Sequence, residues 1–451
     1  MGDVKSHQAC SRIFADAGLC GARGWLFICK LHRYSAQKLT DPGLLPGKIQ
    51  SFRRKGIAMS RKLNTLIAGL AVLAMGTSSA MAQSFVTSAR AAYVLDQTTG
   101  TVLLDHNADE VLPPASMSKL MTIYMAFEAV SNGRLHLTDE LRVSQHCMNY
   151  GGSSMFLNTQ DRPHVEDLLR GVIILSGNDA SCVLAEALSP DGTEGGFAAL
   201  MTTRAHELGM SNSHFMNSNG WPAAGHLMSM RDLGTLSRHL IEDFPTFYPI
   251  FAETEFHYDG RVPSNSQNRN PILSLGIGAD GLKTGHTSEA GYGLAGSARQ
   301  GDRRVIFVIT GLESEAARRD ESERIINWAF RQFALQDLGK AGDIIPGGTA
   351  DVWMGAAPRV QLALGQDLQI LVPTTSANEM TTEVVYNGPI AAPITAGQEL
   401  ATLVIDREGM PQMTVPLVAE TDVPAGGFVN RVMGSAMILL GKVGGAADQG
   451  A

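Results

Sequence analysis

The chain has 451 residues, of which 44% are hydrophobic and 18% charged, and its formal net charge is −8. These values are typical of a globular protein, and the length allows two domains. Because no apolar run reaches about 18 residues, the sequence excludes a bundle of membrane-spanning helices.

Residues 59–82 show the three parts of a secretory signal peptide. A charged start, Met59-Ser60-Arg61-Lys62, precedes an apolar run at 66–75 and the small residues Ala80-Met81-Ala82. A signal peptide should begin the chain, so we interpret residues 1–58 as an over-extended N-terminus, with a long natural leader as the alternative. We therefore expect an exported protein that begins near Gln83.

Cleavage at this point leaves a strongly acidic protein. Residues 1–82 hold 12 of the 36 Lys and Arg residues and 3 of the 44 Asp and Glu residues, so the remainder carries a net charge near −17. This charge predicts no nucleic-acid partner. Of the five cysteines only Cys147 and Cys182 remain. We interpret them as separate, partly buried thiols, and a disulfide is the open alternative.

The elements predicted from residue 83 onward combine strands and helices. Two short apolar strands, 91–95 and 101–104, flank the turn Gln97-Thr98-Thr99-Gly100 and predict a hairpin. Helical patterns cover 116–132, 165–175, 180–188 and 313–333, and further strands cover 291–298 and 305–312. Strands at both ends with helices between them predict an α+β domain over residues 83–340, in which an antiparallel sheet is flanked by helices.

The last quarter of the chain has a different pattern. Short β-type runs alternate with Gly and Pro turns and predict a small all-β, sandwich-like domain over residues 341–424. In the final segment, 425–451, residues 428–443 form an amphipathic helical pattern. Its 16 residues are fewer than the roughly 20 that span a bilayer. We therefore expect a helix lying in the membrane surface as an anchor, with packing on the β domain as the alternative.

The first of three motifs that carry chemistry is Ser116-Met117-Ser118-Lys119, at the start of a predicted helix. A spacing of three residues places the hydroxyl of Ser116 and the amine of Lys119 on one face, one turn apart. A serine hydroxyl needs a base to become a nucleophile. A desolvated lysine near a helix N-terminus has a depressed pKa and can act as that base.

The other two motifs supply groups for binding and proton transfer. Ser176-Gly177-Asn178 lies between two helical patterns, where a hydroxyl and an amide can point into one cleft. Lys283-Thr284-Gly285, followed by His286, is predicted at a strand edge. There the lysine charge and the threonine hydroxyl suit a substrate that ends in a carboxylate, and the glycine lets the substrate backbone approach. Each motif alone is common in proteins, and only all three in this order indicate a shared active site.

This ordered set resembles the signature of penicillin-binding proteins and β-lactamases. The sequence is similar to the low-molecular-mass penicillin-binding proteins that are D-alanyl-D-alanine carboxypeptidases, over residues 91–333 and more loosely to 427. The matching stretches are 114–122, 152–157, 176–180 and 280–287. The resemblance implies a β-lactamase/D,D-peptidase-like fold. It also implies an exported serine peptidase that removes the terminal D-alanine of peptidoglycan stem peptides.

The resemblance also implies roles for individual residues. Ser116 is expected to form the acyl-enzyme, with Lys119 as its base, Ser176 as proton relay, and the backbone amides of Ser116 and His286 as the oxyanion hole. The expected substrate-binding residues are Asn178, Lys283, Thr284, Gly285, His286, Arg269 and Arg318. For the two arginines, surface salt bridges are the alternative. The resemblance further implies inhibition by β-lactam antibiotics and peripheral attachment to the periplasmic side of the inner membrane through residues 428–443.

No metal or other cofactor is expected. The twelve histidines include no H-E-x-x-H and no cysteine–histidine zinc spacing. The main alternative function is a D,D-endopeptidase that cuts peptidoglycan cross-links with the same residues. A class A β-lactamase is disfavoured, because no E-x-x-L-N follows Ser176 at a suitable distance. A catalytically weak β-lactam-binding or cell-wall-binding module is a further alternative, and release of D-alanine distinguishes it from an enzyme.

Overall fold

The computed structural model describes residues 85–375 and 380–428. The predicted N-terminal extension, the predicted signal peptide and all of the predicted anchor helix except Phe428 lie outside these residues. The side chain of Phe428 is 82% exposed. Within the described ranges, no helix is both long enough and apolar enough to cross a bilayer.

A five-stranded antiparallel sheet organises the first part of the chain. Its strands are β1 (Ala91–Asp96), β2 (Thr101–His106), β3 (Ala279–Thr287), β4 (Gly291–Gln300) and β5 (Arg303–Leu312). They lie in the order β2-β1-β5-β4-β3, so the N-terminal hairpin pairs with the last strand and β3 forms one edge. This confirms the predicted antiparallel sheet completed by segments from both ends of the domain.

Helices cover both faces of this sheet. They are α1 (Lys119–Ser131), α2 (Gln145–Met148), α3 (Val165–Ile173), α4 (Asn178–Leu188), α5 (Glu194–Glu207), α6 (Met230–Asp243) and α7 (Glu315–Gln332). Along β1, Tyr93 and Leu95 belong to the core that contains α1, whereas Ala92 and Val94 belong to the core that contains α7. Because successive side chains of a strand point to opposite faces, β1 is buried along its whole length.

The second part of the chain is all-β. Its strands are β6 (Phe333–Gly339), β7 (Ile344–Trp353), β8 (Arg359–Leu364), β9 (Leu368–Pro373), β10 (Met380–Val385), β11 (Ile390–Ala391), β12 (Glu399–Arg407) and β13 (Met413–Ala419). Six of them form a sheet in the order β10-β12-β13-β8-β7-β11, and β6 pairs with β9. This confirms the predicted all-β region. Its first strand, β6, begins at Phe333, before the expected start at residue 341.

Cys147 and Cys182 form a disulfide, which corrects their interpretation as separate thiols. Their sulfur atoms are 2.03 Å apart and their Cα atoms 5.3 Å apart. Both side chains are fully buried, and the bond joins α2 to α4. The sequence left the pairing open because the two residues are 35 positions apart, and only the packing of the two helices brings them together.

Candidate active site

Ser116 lies in a short 3₁₀ helix, Ala115–Ser118, that leads directly into α1. Strand β3 packs closely against this turn. A Cβ atom added at Gly285 would lie 2.9 Å from the Pro114 carbonyl oxygen and 3.0 Å from Cγ of Met117. The glycine was expected to admit the substrate backbone. The structure gives a different reason, because glycine is what lets β3 approach the turn that carries Ser116.

The amine of Lys119 is fully buried and contacts three oxygen atoms. Nζ lies 2.9 Å from Oγ of Ser116, 2.7 Å from Oδ1 of Asn178 and 2.5 Å from the carbonyl oxygen of Asn219. A neutral amine has two N–H donors and one lone pair. It can therefore donate to Asn178 and Asn219 while it accepts the proton of the Ser116 hydroxyl.

Burial also prepares Lys119 to act as a base. Burial, together with the positive charge of Arg269, lowers the pKa of Lys119 to about 7, although Asp179 and Glu194 partly oppose the shift. An unperturbed lysine has a pKa near 10.4, so its neutral form is scarce at neutral pH. In this site the neutral amine is well populated around neutral pH.

Ser176 is bonded to the second lysine of the site. It has a φ of 61°, in the left-handed region that non-glycine residues seldom adopt, and it lies between α3 and α4. Its Oγ accepts a hydrogen bond of 2.9 Å from Nζ of Lys283, which also donates to the Thr284 carbonyl oxygen at 3.1 Å. Burial, with the nearby positive charge of Lys119, lowers the pKa of Lys283 well below its usual value.

Asn178 was expected to face the substrate, but both ends of its amide are bonded within the protein. Its Oδ1 accepts from Lys119, and its Nδ2 donates to the Gly151 carbonyl oxygen at 2.8 Å. The neighbouring Asp179, which the sequence did not single out, accepts from Ser154 Oγ at 2.6 Å and from the backbone N–H of Leu157 at 3.0 Å. These two residues hold the loop 151–157 beside the site.

A cavity of about 180 Å³ opens beside Ser116, and both predicted arginines line it. The lining residues are Ser116, Ser153, Ser176, Arg269, Thr284, Gly285, His286, Glu315 and Arg318. Lys283 was expected to meet a substrate carboxylate, but its amine is bonded to Ser176 and it does not line this cavity. The positive charge on the cavity wall therefore comes from the arginines.

The two arginines are held in different ways. Arg269 donates to Oγ of Ser153. Arg318 lies over the ring of Tyr292, 5.6 Å from its centroid, and 3.9 Å from Glu315. Burial lowers the pKa of both arginines, yet a guanidinium keeps its charge in proteins. Nε of Arg318 has no partner among the described residues. The two guanidinium groups thus give the cavity wall positive charge, which suits a carboxylate.

A second, larger cavity continues along β3. Its volume is about 420 Å³, and it is lined by Pro113, Pro114, Ala115, Thr287, Glu289 and the segment 220–227. The first cavity contacts β3 at Thr284, Gly285 and His286, and the second begins at the next residue, Thr287. Ser116 therefore lies next to both cavities. The sequence gave no indication of the segment 220–227.

Two clusters of metal-binding residue types occur among the described residues. One joins His146, Cys182 and Glu194, and the other joins Cys147, Cys182 and Glu186. Both depend on sulfur atoms that are bonded to each other in the disulfide, so neither cluster offers a free thiolate.

Comparison with known proteins identifies the family. The D-alanyl-D-alanine carboxypeptidase family, peptidase family S11, matches residues 77–314, and the C-terminal domain of penicillin-binding protein 5 matches residues 333–425. D-alanyl-D-alanine carboxypeptidase DacF of Bacillus subtilis is 31% identical, over 83% of this chain and 98% of the relative. DacC of Escherichia coli is 36% identical, over 76% and 86%. The structure of penicillin binding protein 5 from Haemophilus influenzae is similar with a TM-score of 0.67 and 30% identity, over 75% of this chain and 98% of that one. The chain therefore belongs to the D-alanyl-D-alanine carboxypeptidase family.

Proposed function

We propose that this enzyme removes the terminal D-alanine from peptidoglycan stem peptides through an acyl-enzyme on Ser116. One observation carries the assignment to this residue. The Ser116 hydroxyl lies 2.9 Å from a buried lysine amine, at the edge of a cavity that two arginines line. A nucleophile, its base and a receptor for a terminal carboxylate thus adjoin one another.

Acylation begins with transfer of the Ser116 proton to the neutral amine of Lys119. Oγ then bonds to the carbonyl carbon of the penultimate D-alanine, and the backbone N–H groups of Ser116 and His286 stabilise the oxyanion. The hydroxyl of Ser176, supported by Lys283, passes a proton to the nitrogen of the last residue, and the Lys119 ammonium gives its proton back to Ser176, so that both side chains are neutral again. The C–N bond breaks, and D-alanine leaves.

Deacylation uses the same groups, with water in the place of the D-alanine that has left. Lys119 takes a proton from a water molecule, whose oxygen attacks the ester carbon. The bond between that carbon and Oγ of Ser116 breaks, and the proton returns to the serine. The products are the shortened stem peptide and the free enzyme. A β-lactam that acylates Ser116 would enter the same pathway and inhibit the enzyme.

Substrate orientation follows from the two cavities. The terminal carboxylate binds Arg269, Arg318 and the hydroxyl of Thr284. The rest of the stem peptide runs along β3, the edge strand of the sheet, toward the larger cavity. In this arrangement Asn178 and Lys283 act from inside the protein, on Lys119 and on Ser176, and Gly285 acts by admitting β3 to the nucleophile turn.

The cellular position is part of the proposal. Residues 59–82 direct export, residues 83–332 form the peptidase domain, residues 333–424 form the β domain, and residues 425–451 attach the enzyme to the periplasmic side of the inner membrane. The disulfide supports export, because such bonds form and persist in oxidising compartments.

A pair of serine variants tests the assignment of the nucleophile. Ser116→Ala should abolish labelling by a fluorescent penicillin and lower D-alanine release on the order of 10³-fold or more. Ser288→Ala, an exposed serine just beyond the β3 motif, should keep both activities. Mass spectrometry should locate the penicilloyl group on the peptide that contains Ser116. Labelling that survives in Ser116→Ala would contradict the proposal.

A further inference from the structure

Glu194 is a buried carboxylate that takes no part in the reaction steps above. It is the first residue of α5 and is 7% exposed. Its Oε1 accepts from the backbone N–H of Ser218 at 3.0 Å, from Oγ of Ser218 at 2.5 Å and from Nδ2 of Asn219 at 3.3 Å. Its Oε2 lies 2.5 Å from the hydroxyl of Tyr150 and 2.9 Å from Nε2 of His146. This buried carboxylate therefore joins several polar groups in one hydrogen-bond network, which we call the Glu194 junction.

One branch of this junction leads directly to Lys119. Glu194 binds Ser218 and Asn219, and the carbonyl oxygen of Asn219 accepts a hydrogen bond from the Lys119 amine at 2.5 Å. Other partners also hold this segment, because the Ser218 carbonyl oxygen accepts from Thr122 Oγ1 at 2.6 Å. The carbonyl of Asn219 therefore has a fixed position relative to α1.

The second branch reaches the same amine through Asn178. Tyr150 donates to Glu194, and the next residue, Gly151, accepts from Nδ2 of Asn178 at 2.8 Å. Oδ1 of Asn178 accepts from Lys119 at 2.7 Å. Both oxygens of the protein interior that bind the amine, those of Asn219 and Asn178, are thus linked back to Glu194.

The charge of Glu194 acts on the same amine. Burial would raise the pKa of Glu194, but the hydrogen bonds from Ser218, Tyr150 and His146 outweigh it and hold that pKa below the usual value. The carboxylate is therefore ionised at neutral pH. Among the charged groups around Lys119, Arg269 lowers the lysine pKa, whereas Asp179 and Glu194 raise it. Lys283 and His226 are also close enough to interact with Lys119.

We propose that Glu194 is a positioning residue, which holds the two oxygens that orient the Lys119 amine toward Ser116. This role rests on the proposed function, in which Lys119 is the base. We call the hydrogen bonds from Ser218, Asn219 and Tyr150 to Glu194 the tethers. Without them, the Lys119 amine still has its two acceptors, but the positions of these acceptors are no longer fixed. Because proton transfer depends on close alignment, a misplacement of about 1 Å can cost on the order of 10²-fold in rate.

Three variants separate the effect of Glu194 on the alignment of the Lys119 amine from the effect of its charge. Glu194→Gln keeps one oxygen for Ser218 and Asn219 and can donate its new N–H group to the oxygen of Tyr150, so it removes the charge with little change in shape. Glu194→Ala removes all of the tethers. Tyr150→Phe removes the tether toward Asn178 and leaves the charge. Glu207→Gln, an exposed position at the far end of α5, is the matched control.

The readout is the rate of acylation of the full-length enzyme by a fluorescent penicillin, followed from pH 5 to 9. In the wild type the rate should rise on the acidic side of the pH–rate profile, which we call the acidic limb. Glu194→Gln should move this limb to lower pH, because the carboxylate no longer raises the pKa of Lys119. Glu194→Ala should lower the rate on the order of 10- to 10²-fold. Tyr150→Phe should lower the rate without moving the limb, and Glu207→Gln should match the wild type.

Two results would overturn the proposal. One is an acidic limb that stays in place in Glu194→Gln. The other is a rate in Tyr150→Phe, per molecule folded by circular dichroism, equal to that of the wild type. If Glu194→Ala does not fold, these two variants still decide the question. Failure of the proposed function looks different, because the wild type itself would then show no acylation of Ser116 and no pH profile.

Discussion

The disulfide between Cys147 and Cys182 offers a direct test of the described fold. Its removal should lower the free energy of unfolding of the peptidase domain by about 4 kcal/mol, the loop-closure entropy expected at 25 °C for a cross-link of this span. The span is the 35 positions between the two cysteines. Both side chains are fully buried, so the bond is part of the core that also contains α1.

The perturbation is the double variant Cys147→Ala/Cys182→Ala, with scanning calorimetry as the assay. A loss of about 4 kcal/mol corresponds to a fall of roughly 8–16 °C in the melting temperature of a domain of this size. Wild-type protein that is reduced, unfolded and refolded under reducing conditions is the control. It keeps both sulfur atoms and therefore separates the cross-link from the packing. A loss below about 1 kcal/mol, or two free thiols on alkylation of unfolded, unreduced protein, would refute the reasoning.

Four further predictions address the site and the ends of the chain. Acylation of the wild type by penicillin should accelerate as the pH rises through about 7, because only neutral Lys119 accepts the proton. Arg269→Gln should move the midpoint of this pH–rate profile to higher pH, because the guanidinium lowers the pKa of Lys119. An unmoved midpoint would contradict this coupling. Arg318→Gln should lower kcat/KM roughly 10- to 100-fold for a peptide ending in D-Ala-D-Ala but little for its C-terminal amide; equal losses on both would argue against a carboxylate receptor. N-terminal sequencing of the mature protein should start near Gln83, and peptides from residues 1–58 would show that the long N-terminus is real. Deletion of residues 425–451 should move the enzyme from the membrane fraction to the soluble fraction with D-alanine release intact, and full-length protein already soluble at low salt would exclude the anchor.

Local patterns in the sequence predicted much of the fold. Strands β1, β2, β4 and β5 and helices α1, α3, α4 and α7 all lie where apolar residues repeat with the strand or helix period. Helix α5 was missed because Gly195 and Gly196 weaken its start, although the buried Phe197, Met201 and Ala205 recur every four residues. Helix α6 was also missed, although Ser229 accepts from the backbone N–H of Asp232, a capping pattern that the sequence does show.

The sequence by itself determined which residue types and motifs the chemistry uses, because each motif is short and its spacing is local. The tertiary structure alone decided how they meet. Lys119 binds Asn219 across 100 positions of sequence, and Ser176 binds Lys283 across 107. It also placed the arginines rather than Lys283 on the cavity wall, and it gathered Glu194, Tyr150 and Ser218 behind the base. The pKa values of the two lysines depend on the burial of their amines, and burial is a property of the packed helices and sheet.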